Sequence, residues 1–279
     1  MKISILLIAR DEERFIARCL ESLLRQGVRD FELIVLDNGS TDGTAEAIRR
    51  FNDTRIRYIT ESFPRGLGAL RNRAVGEARG KYIFFTDADC VPHKNWLAEG
   101  LAVLEKGGCV GVEGRTFYEA QGRVTIADGD VHQFVPGEYM TCNCAYTREA
   151  LETAGFFDPA FIYGHEDRDL GWRIAKLGKI CFAPDMLVTH QRRVLSVKTF
   201  FDRARRAEDM VRFLKKHGGY PRVLYPRRLL MILFPPLLLL SDSYMSPRDL
   251  LFFFIKYAAL IYERLLIWKE ALRNKVVVL

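Results

Sequence analysis

Two rhythms of apolar residues alternate along the first half of this chain. Residues 3–9 form an apolar run of the kind expected of a parallel strand buried on both faces. Residues 11–26 then place apolar side chains at 15, 16, 19, 20, 23 and 24, a helical spacing closed by Gly27. The succession repeats as strand over 31–36, helix over 41–51, strand over 55–60, loop and helix over 66–78, and strand over 81–86. Strands alternating with helices imply right-handed crossovers, hence an α/β domain with a Rossmann-like, mostly parallel sheet flanked by helices.

Beyond Asp89 the pattern changes. Residues 96–104 are helical in spacing, 109–118 and 139–147 read as strands, 148–154 as a short helix, and 122–137 have no clear period. Residues 167–177 predict a helix opened by acids and closed by Gly178, followed by strands over 179–183 and 186–189. Apolar residues at 200, 201, 204, 207, 211 and 214 make 196–217 one amphipathic helix with an arginine-rich outer face, ended by Gly218 and Gly219. Two apolar stretches follow, 229–240, broken by Pro235 and Pro236, and 250–262, interrupted by Lys256. Neither reaches the roughly 20 residues of a membrane-spanning helix. The expectation is a core domain over 1–195 and a helical, membrane-proximal appendage over 196–279. Its apolar stretches would form an interfacial or re-entrant hairpin, or else a homodimer interface.

Acids stand where the predicted strands end: Asp37 in IVLDNGSTDGT, Asp87 and Asp89 in YIFFTDADC, and Asp167 in YGHEDRDLGWR, with ILLIARDEE at the start of the chain. In an open α/β sheet, ligands bind outside the carboxyl ends of the strands, so these acids converge on one crevice. Each motif alone has a plain structural reading. Asp37 to Thr44 suits a turn and helix cap, and two acids one residue apart are common after a strand. Their order, spacing and apolar flanks carry the specificity.

Charge is unevenly placed. Residues 192–228 hold twelve Lys or Arg against three acids, a local +9, while the whole chain of 279 residues sums to +7. That points to a local anionic partner, an anionic membrane surface at its cytoplasmic face, rather than to nucleic acid. The six cysteines include no C-x-x-C pair, and a chain of this size does not need a disulfide framework, so a reduced setting fits. Cys142 and Cys144 have no second cysteine pair to complete a zinc site, which argues against a joint metal site. Arg10, Asp11, Glu12 and Glu13 stand where a signal peptide would need small residues, so 3–9 reads as a first core strand.

The segments IARDEE, LDNGSTDGT, GLGALRNRAVGEARGKYIFFTDAD, CNCAYTREALETAGFFDP and GHEDRDLGWRIAKLG together resemble the inverting glycosyltransferases of family two, which have the GT-A fold. The resemblance covers roughly residues 3–193 and leaves the tail outside it. It implies a hexosyl-type transfer from a nucleoside diphosphate sugar, with a UDP- or GDP-sugar as donor and a lipid-linked or glycan acceptor. It further implies that Asp89 binds Mn²⁺ or Mg²⁺ and that Asp87 contacts the ribose and helps hold the ion. Asp37 would accept a hydrogen bond from the base. Ala9, Arg10 and Glu12 would wall the nucleoside pocket, with Gly39, Arg71, Asn72 and Ala88 also at the nucleotide. Asp167 would be the base and Glu166 its partner, with His190 as third metal ligand. Asn143, His165, Arg192 and Arg193 are candidates for the acceptor or diphosphate. Where such chains carry Gly directly before the Glu-Asp pair, here His165 intervenes after Gly164.

The chemistry agrees independently. A diphosphate leaving group develops charge that hard oxygen ligands and a divalent cation can hold. Direct displacement at an anomeric carbon needs a base on the opposite face. A haloacid-dehalogenase-type phosphatase would need a second Asp two residues after a nucleophilic Asp, and Asp37 is followed by Asn38 and Gly39. A nucleotidyltransferase would need a Gly-rich basic loop after the first strand, where this chain has ARDEE. A catalytically silent membrane-associated scaffold would not keep all four acids.

Overall fold

The computed structural model describes residues 2–61, 66–119, 133–193, 195–218 and 247–275. The chain divides into two compact units, one of residues 1–119, 131–160 and 166–191, the other of 120–130, 161–165 and 192–279.

In the first unit, the described strands are β1 (Ile3–Ala9), β2 (Phe31–Asp37), β3 (Ile56–Thr60), β4 (Tyr82–Asp87), β5 (Cys90–Pro92), β6 (Gly111–Tyr118), β7 (Cys144–Thr147) and β8 (Ile180–His190). They form one sheet in the order β3-β2-β1-β4-β7-β6-β8-β5. Strands β1 to β4 pair in parallel. β7 runs antiparallel to β4 and β6, and β5 antiparallel to β8. The helices are α1 (Ile16–Leu24), α2 (Thr44–Arg49), α3 (Leu67–Glu77), α4 (Trp96–Glu105), α5 (Arg148–Ala154) and α6 (Glu166–Ile174).

Alternate residues of the central strands feed two cores. Ile3, Ile5, Leu7, Leu33, Val35 and Phe84 pack with α1, α2 and α4, whereas Leu6, Ile34, Ile83 and Phe85 pack with α3, α5 and α6. Period-two side chains on a buried sheet produce this two-sided layering, the mixed α/β architecture expected from the sequence. Every predicted helix start and strand in residues 3–87 is found to within a few residues.

Four details differ. Strand β5, three residues long, is too short for a periodic signal. The two strands predicted over 179–189 are one strand, β8, whose pairing with β6 jumps from Ala183 to Leu187 at a bulge. The strand predicted over 139–147 is confined to Cys144–Thr147, because Tyr139 takes φ 55° and turns the chain. Cys109 and Cys181 are joined in a disulfide, with Cα atoms 5.9 Å apart, which corrects the expectation of fully reduced thiols. Next to the bridge, β6 and β8 pair in parallel, with Gly111 opposite Ile180 and Val112 opposite Cys181. The other four cysteines are free and buried.

In the second unit, α7 (Val197–Ala204), α8 (Arg206–His217) and α9 (Pro247–Asn274) are described. The single helix predicted over 196–217 is two, joined at Arg205, which donates to Tyr163 Oη and lies 4.0 Å above that ring. Gly218, at φ 72°, ends α8 in the left-handed conformation that favours glycine. The apolar stretch 229–240 lies outside the described residues. The second stretch is part of α9, a continuous helix of 28 residues.

Candidate active site

Parallel register brings the strand ends together: Ala9 is partnered by Asp37 and Ile8 by Asp87. The loop after β1 is laced to the loop after β2. The Asp11 N–H donates to Ser40 Oγ (3.0 Å), the Glu12 N–H to Thr44 Oγ1 (2.7 Å), the Thr41 N–H to Asp11 Oδ1 (2.7 Å) and the Gly43 N–H to Glu13 Oε2 (2.7 Å). Gly39, at φ 68°, supplies the left-handed turn that lets the second loop approach. Asp37 is buried, accepting from the Ser40 N–H (2.9 Å), Ser40 Oγ (2.6 Å) and Tyr58 Oη (2.8 Å). Burial and the Asp37 carboxylate push the Tyr58 phenol up to about 12. Arg10 is half exposed at the rim, whereas Ala9 and Ala88 are buried and contribute backbone alone.

The other half of the crevice is charged. Arg71, on α3, is buried; it donates to Glu166 at the start of α6, and its Nη2 stands 3.5 Å from Asp87 Oδ1 at the end of β4. Burial pushes the Asp87 carboxyl above its ordinary range, opposed by Arg71 and reinforced by Asp89. Burial likewise raises Glu166, opposed by Arg71 and reinforced by Asp167. Antiparallel pairing of β5 with β8 sets Cys90 opposite His190, which places His190 Nε2 3.4 Å from Asp89 Oδ1. His190 Nδ1 lies 3.2 Å from the Gln191 carbonyl. As a donor there, it leaves the Nε2 lone pair directed to the Asp89 side. Asp89, His190 and the buried Cys90 offer ligand atoms within 4.8 Å of one another, and Asp87 forms a second such group with Cys90 and Cys142. Burial pushes the Cys90 thiol well up, and the carboxylate and imidazole are the donors of the first group suited to Mn²⁺ or Mg²⁺.

Some predicted site residues have structural duties instead. The Asn72 side-chain amide exchanges two hydrogen bonds with the Phe157 backbone, at 2.8 and 2.9 Å, so it clamps α3 to the segment before α6. Asn143 is fully buried: its Oδ1 accepts from Trp96 Nε1 (2.8 Å), and its Nδ2 donates to the carbonyls of Arg115 (2.9 Å) and Met186 (3.0 Å). Those bonds engage both ends of its amide within the protein. Asp169 and Arg173 pair with each other, and Arg173 also reaches the Ala154 and Phe156 carbonyls, a packing role. His165, at φ 67°, Arg192 and Arg193 belong to the second unit.

Sequence reasoning missed Glu113. Buried on β6, it accepts from Gln133 Nε2 (2.7 Å) and from the Gly137 and Tyr139 N–H groups, and so holds residues 133–139. Burial raises its carboxyl, against those donated bonds. Glu138 of the same segment is paired with Arg168, next to Asp167. The Tyr139 ring lies so close to Gly171 that a Cβ there would meet Tyr139 Cγ at 2.2 Å. An acid between apolar residues in the strand pattern V-E-G was the available signal.

The architecture has counterparts among solved structures. Staphylococcus aureus TarS 1–349 in complex with UDP-GlcNAc matches 99% of this chain and 93% of its own at TM-score 0.61 and 16% identity. The mannosyltransferase PcManGT of Pyrobaculum calidifontis, in complex with GDP-Man and Mn²⁺, matches 96% and 86% at TM-score 0.63 and 19% identity. At these identities the likeness speaks for the fold. In sequence, the chain is 31% identical over 110 residues to glycosyltransferase AglE of Haloferax volcanii, covering 38% of this chain and 36% of AglE. It is 32% identical over 99 residues to the UDP-Glc:alpha-D-GlcNAc-diphosphoundecaprenol beta-1,3-glucosyltransferase WfgD of Escherichia coli, covering 36% and 38%. The chain thus aligns with little more than a third of each of these relatives. The description of glycosyl transferase family 2 matches residues 4–161, a span that holds β1 to β7 and both loops at Asp37 and Asp87, and the chain is a member of that family.

Proposed function

We propose that this protein transfers a hexose from a UDP- or GDP-sugar to a hydroxyl or phosphate of a lipid-linked or glycan acceptor, with inversion at the anomeric carbon. One observation carries the reading. Four acids, Asp87 and Asp89 after β4 and Glu166 and Asp167 at the start of α6, gather near Arg71 and His190. Such a site favours a divalent cation and, with it, a diphosphate. The donors bound by TarS and PcManGT are of this class.

Asp89 and His190 would hold the ion, with Asp87 beside them. The ion supplies the positive charge that stabilises the leaving diphosphate. Asp37 and the laced loops after β1 and β2 bind the nucleoside. Arg71 opposes the effect of burial on the Asp87 and Glu166 carboxyls. Asp167, on the first turn of α6, takes the acceptor proton as the acceptor oxygen bonds to the anomeric carbon. The bond from that carbon to the diphosphate oxygen breaks, and the electron pair leaves with the nucleoside diphosphate. Glu166, locked to Arg71, fixes the start of α6 and so the direction of Asp167.

A panel of UDP- and GDP-sugars, each with Mn²⁺, Mg²⁺ or chelator, tests the reading by thermal stabilisation and by release of nucleoside diphosphate. One donor class should raise the melting temperature only with the cation, through mass action on the folded state. No shift and no release with any donor contradicts it.

A further inference from the structure

Helix α9 carries an apolar stripe at coiled-coil spacing on its solvent side. Leu251, Phe254, Ala258, Ile261, Leu265, Trp268 and Leu272 follow one another at alternating intervals of three and four. The large side chains among them are exposed, from 37% at Ile261 to 81% at Leu272. The opposite face is the one that packs. Leu266 and Ile267 join Ala207, Met210 and Val211 of α8, and Ala259 joins Leu195 and Phe200 beside α7. Among the described residues, packing of this unit uses one apolar face of α9 and leaves a second, more than 20 residues long, uncovered. Soluble proteins rarely expose an apolar surface of that length without a partner for it.

Charge identifies the partner. From residue 251 to the end of the described chain, every exposed residue is either apolar or basic, the basic ones being Lys269, Arg273 and Lys275. The acids Glu263 and Glu270 are turned away from full exposure, and Glu270 is already paired with Arg273. At the positions flanking the stripe stand the buried Arg264 and the exposed Lys269, with no acid. A second copy of α9, parallel or antiparallel, would find no acid opposite its cations, whereas paired coiled-coil helices set opposite charges there. Trp268 and Phe254 are also bulky for such a seam. An aromatic and aliphatic stripe edged by Lys and Arg is the composition of a helix lying in the headgroup layer of an anionic bilayer. Among the described residues no helix is long and apolar enough to cross a membrane, which leaves the in-plane arrangement.

We infer that the Leu251–Leu272 stripe of α9 is a docking surface for an anionic lipid bilayer, on which the helix lies flat. The inference does not depend on the catalytic assignment, since none of these residues is in the crevice. Flotation of the full chain with phosphatidylcholine vesicles, with and without phosphatidylglycerol, tests it. The protein should float with the anionic vesicles and weaken as salt rises, and Trp268 fluorescence should shift to the blue, a shift absent from Trp268→Phe. The combined variant Ile261→Ser, Leu265→Ser, Trp268→Ser should float at least roughly tenfold more weakly while binding nucleotide as before. Because these side chains are exposed, the variant should keep its helix by circular dichroism. Lys269→Glu with Arg273→Glu should lose the preference for phosphatidylglycerol. Equal flotation of the triple variant, no flotation of the parent at low salt, or conversion of a stable dimer to monomer by the triple variant would each overturn the inference, the last in favour of self-association.

Discussion

At the end of β2, acids are met by neutral donors. Asp37 accepts from Ser40 and Tyr58, Asp11 from Thr41, Glu13 from Gly43 and Asp42 from Thr44. Against the effect of burial, the Thr44 hydroxyl and N–H hold Asp42 below the ordinary carboxylate range. At the end of β4, acids meet acids. Asp87 and Glu166 are pushed up by burial and by Asp89 and Asp167, with Arg71 opposing in both cases. On the proposed reading, the first half would bind the base and ribose, and the second a cation with its diphosphate, whose charge would offset the crowded acids.

The contrast is broken most severely at Asp89. Asp89→Ala should lower transfer by roughly 10²-fold or more and abolish the cation dependence of nucleotide binding, measured by initial rates and calorimetry. Asp167→Asn keeps shape and removes the base, so turnover should fall by about 10²- to 10⁴-fold with donor affinity little changed. A Glu166→Gln variant that lost as much while Asp167→Asn kept its rate would move the base to Glu166.

Stability probes sharpen the same comparison. Arg71→Met leaves Glu166 and Asp87 buried without their cation and should cost about 3–5 kcal/mol in urea unfolding. On the neutral side, Tyr58→Phe removes one donor from Asp37 and should cost about 1 kcal/mol.

Two acids outside the crevice give opposite pH signatures. Glu113 has its folded pKa raised above the ordinary 4.5, so its contribution is fully present below that value and is lost as pH rises through the raised one. Glu113→Gln should therefore lie furthest below the parent at acid pH and draw closer as pH rises, by urea midpoints across that range. Asp53 is lowered from 3.8 to about 2 by the Arg55 side chain, so its contribution is present above 3.8 and is lost as pH falls through about 2. With both side chains partly exposed, Asp53→Asn should cost about 1 kcal/mol or less at neutral pH.

The strands and the acids that end them were legible because both signals are local. A buried parallel strand has to be apolar along its length, and a ligand site has to lie at its carboxyl end. What escaped depends on pairing across the chain. No spacing shows that Arg71 meets Glu166, 95 positions away. His190 was placed by resemblance, and only the β5–β8 register explains its position beside Asp89. The bonds that the Asn143 and Asn72 amides make within the protein were not legible, because an amide near a motif looks the same whether it faces a ligand or a buried carbonyl. The stripe on α9 was half visible as an apolar stretch ending at 262, but its continuation through Leu265, Trp268 and Leu272 needed the helix to be seen whole.

The imbalance at the end of β4 is tested most directly by titrating UDP and GDP into the protein calorimetrically, with and without Mn²⁺, for the parent and for Asp89→Ala. The account predicts that one nucleotide binds the parent tightly only with Mn²⁺, and that Asp89→Ala binds it weakly and equally in both conditions. Equal, tight binding by both proteins regardless of Mn²⁺ would contradict it.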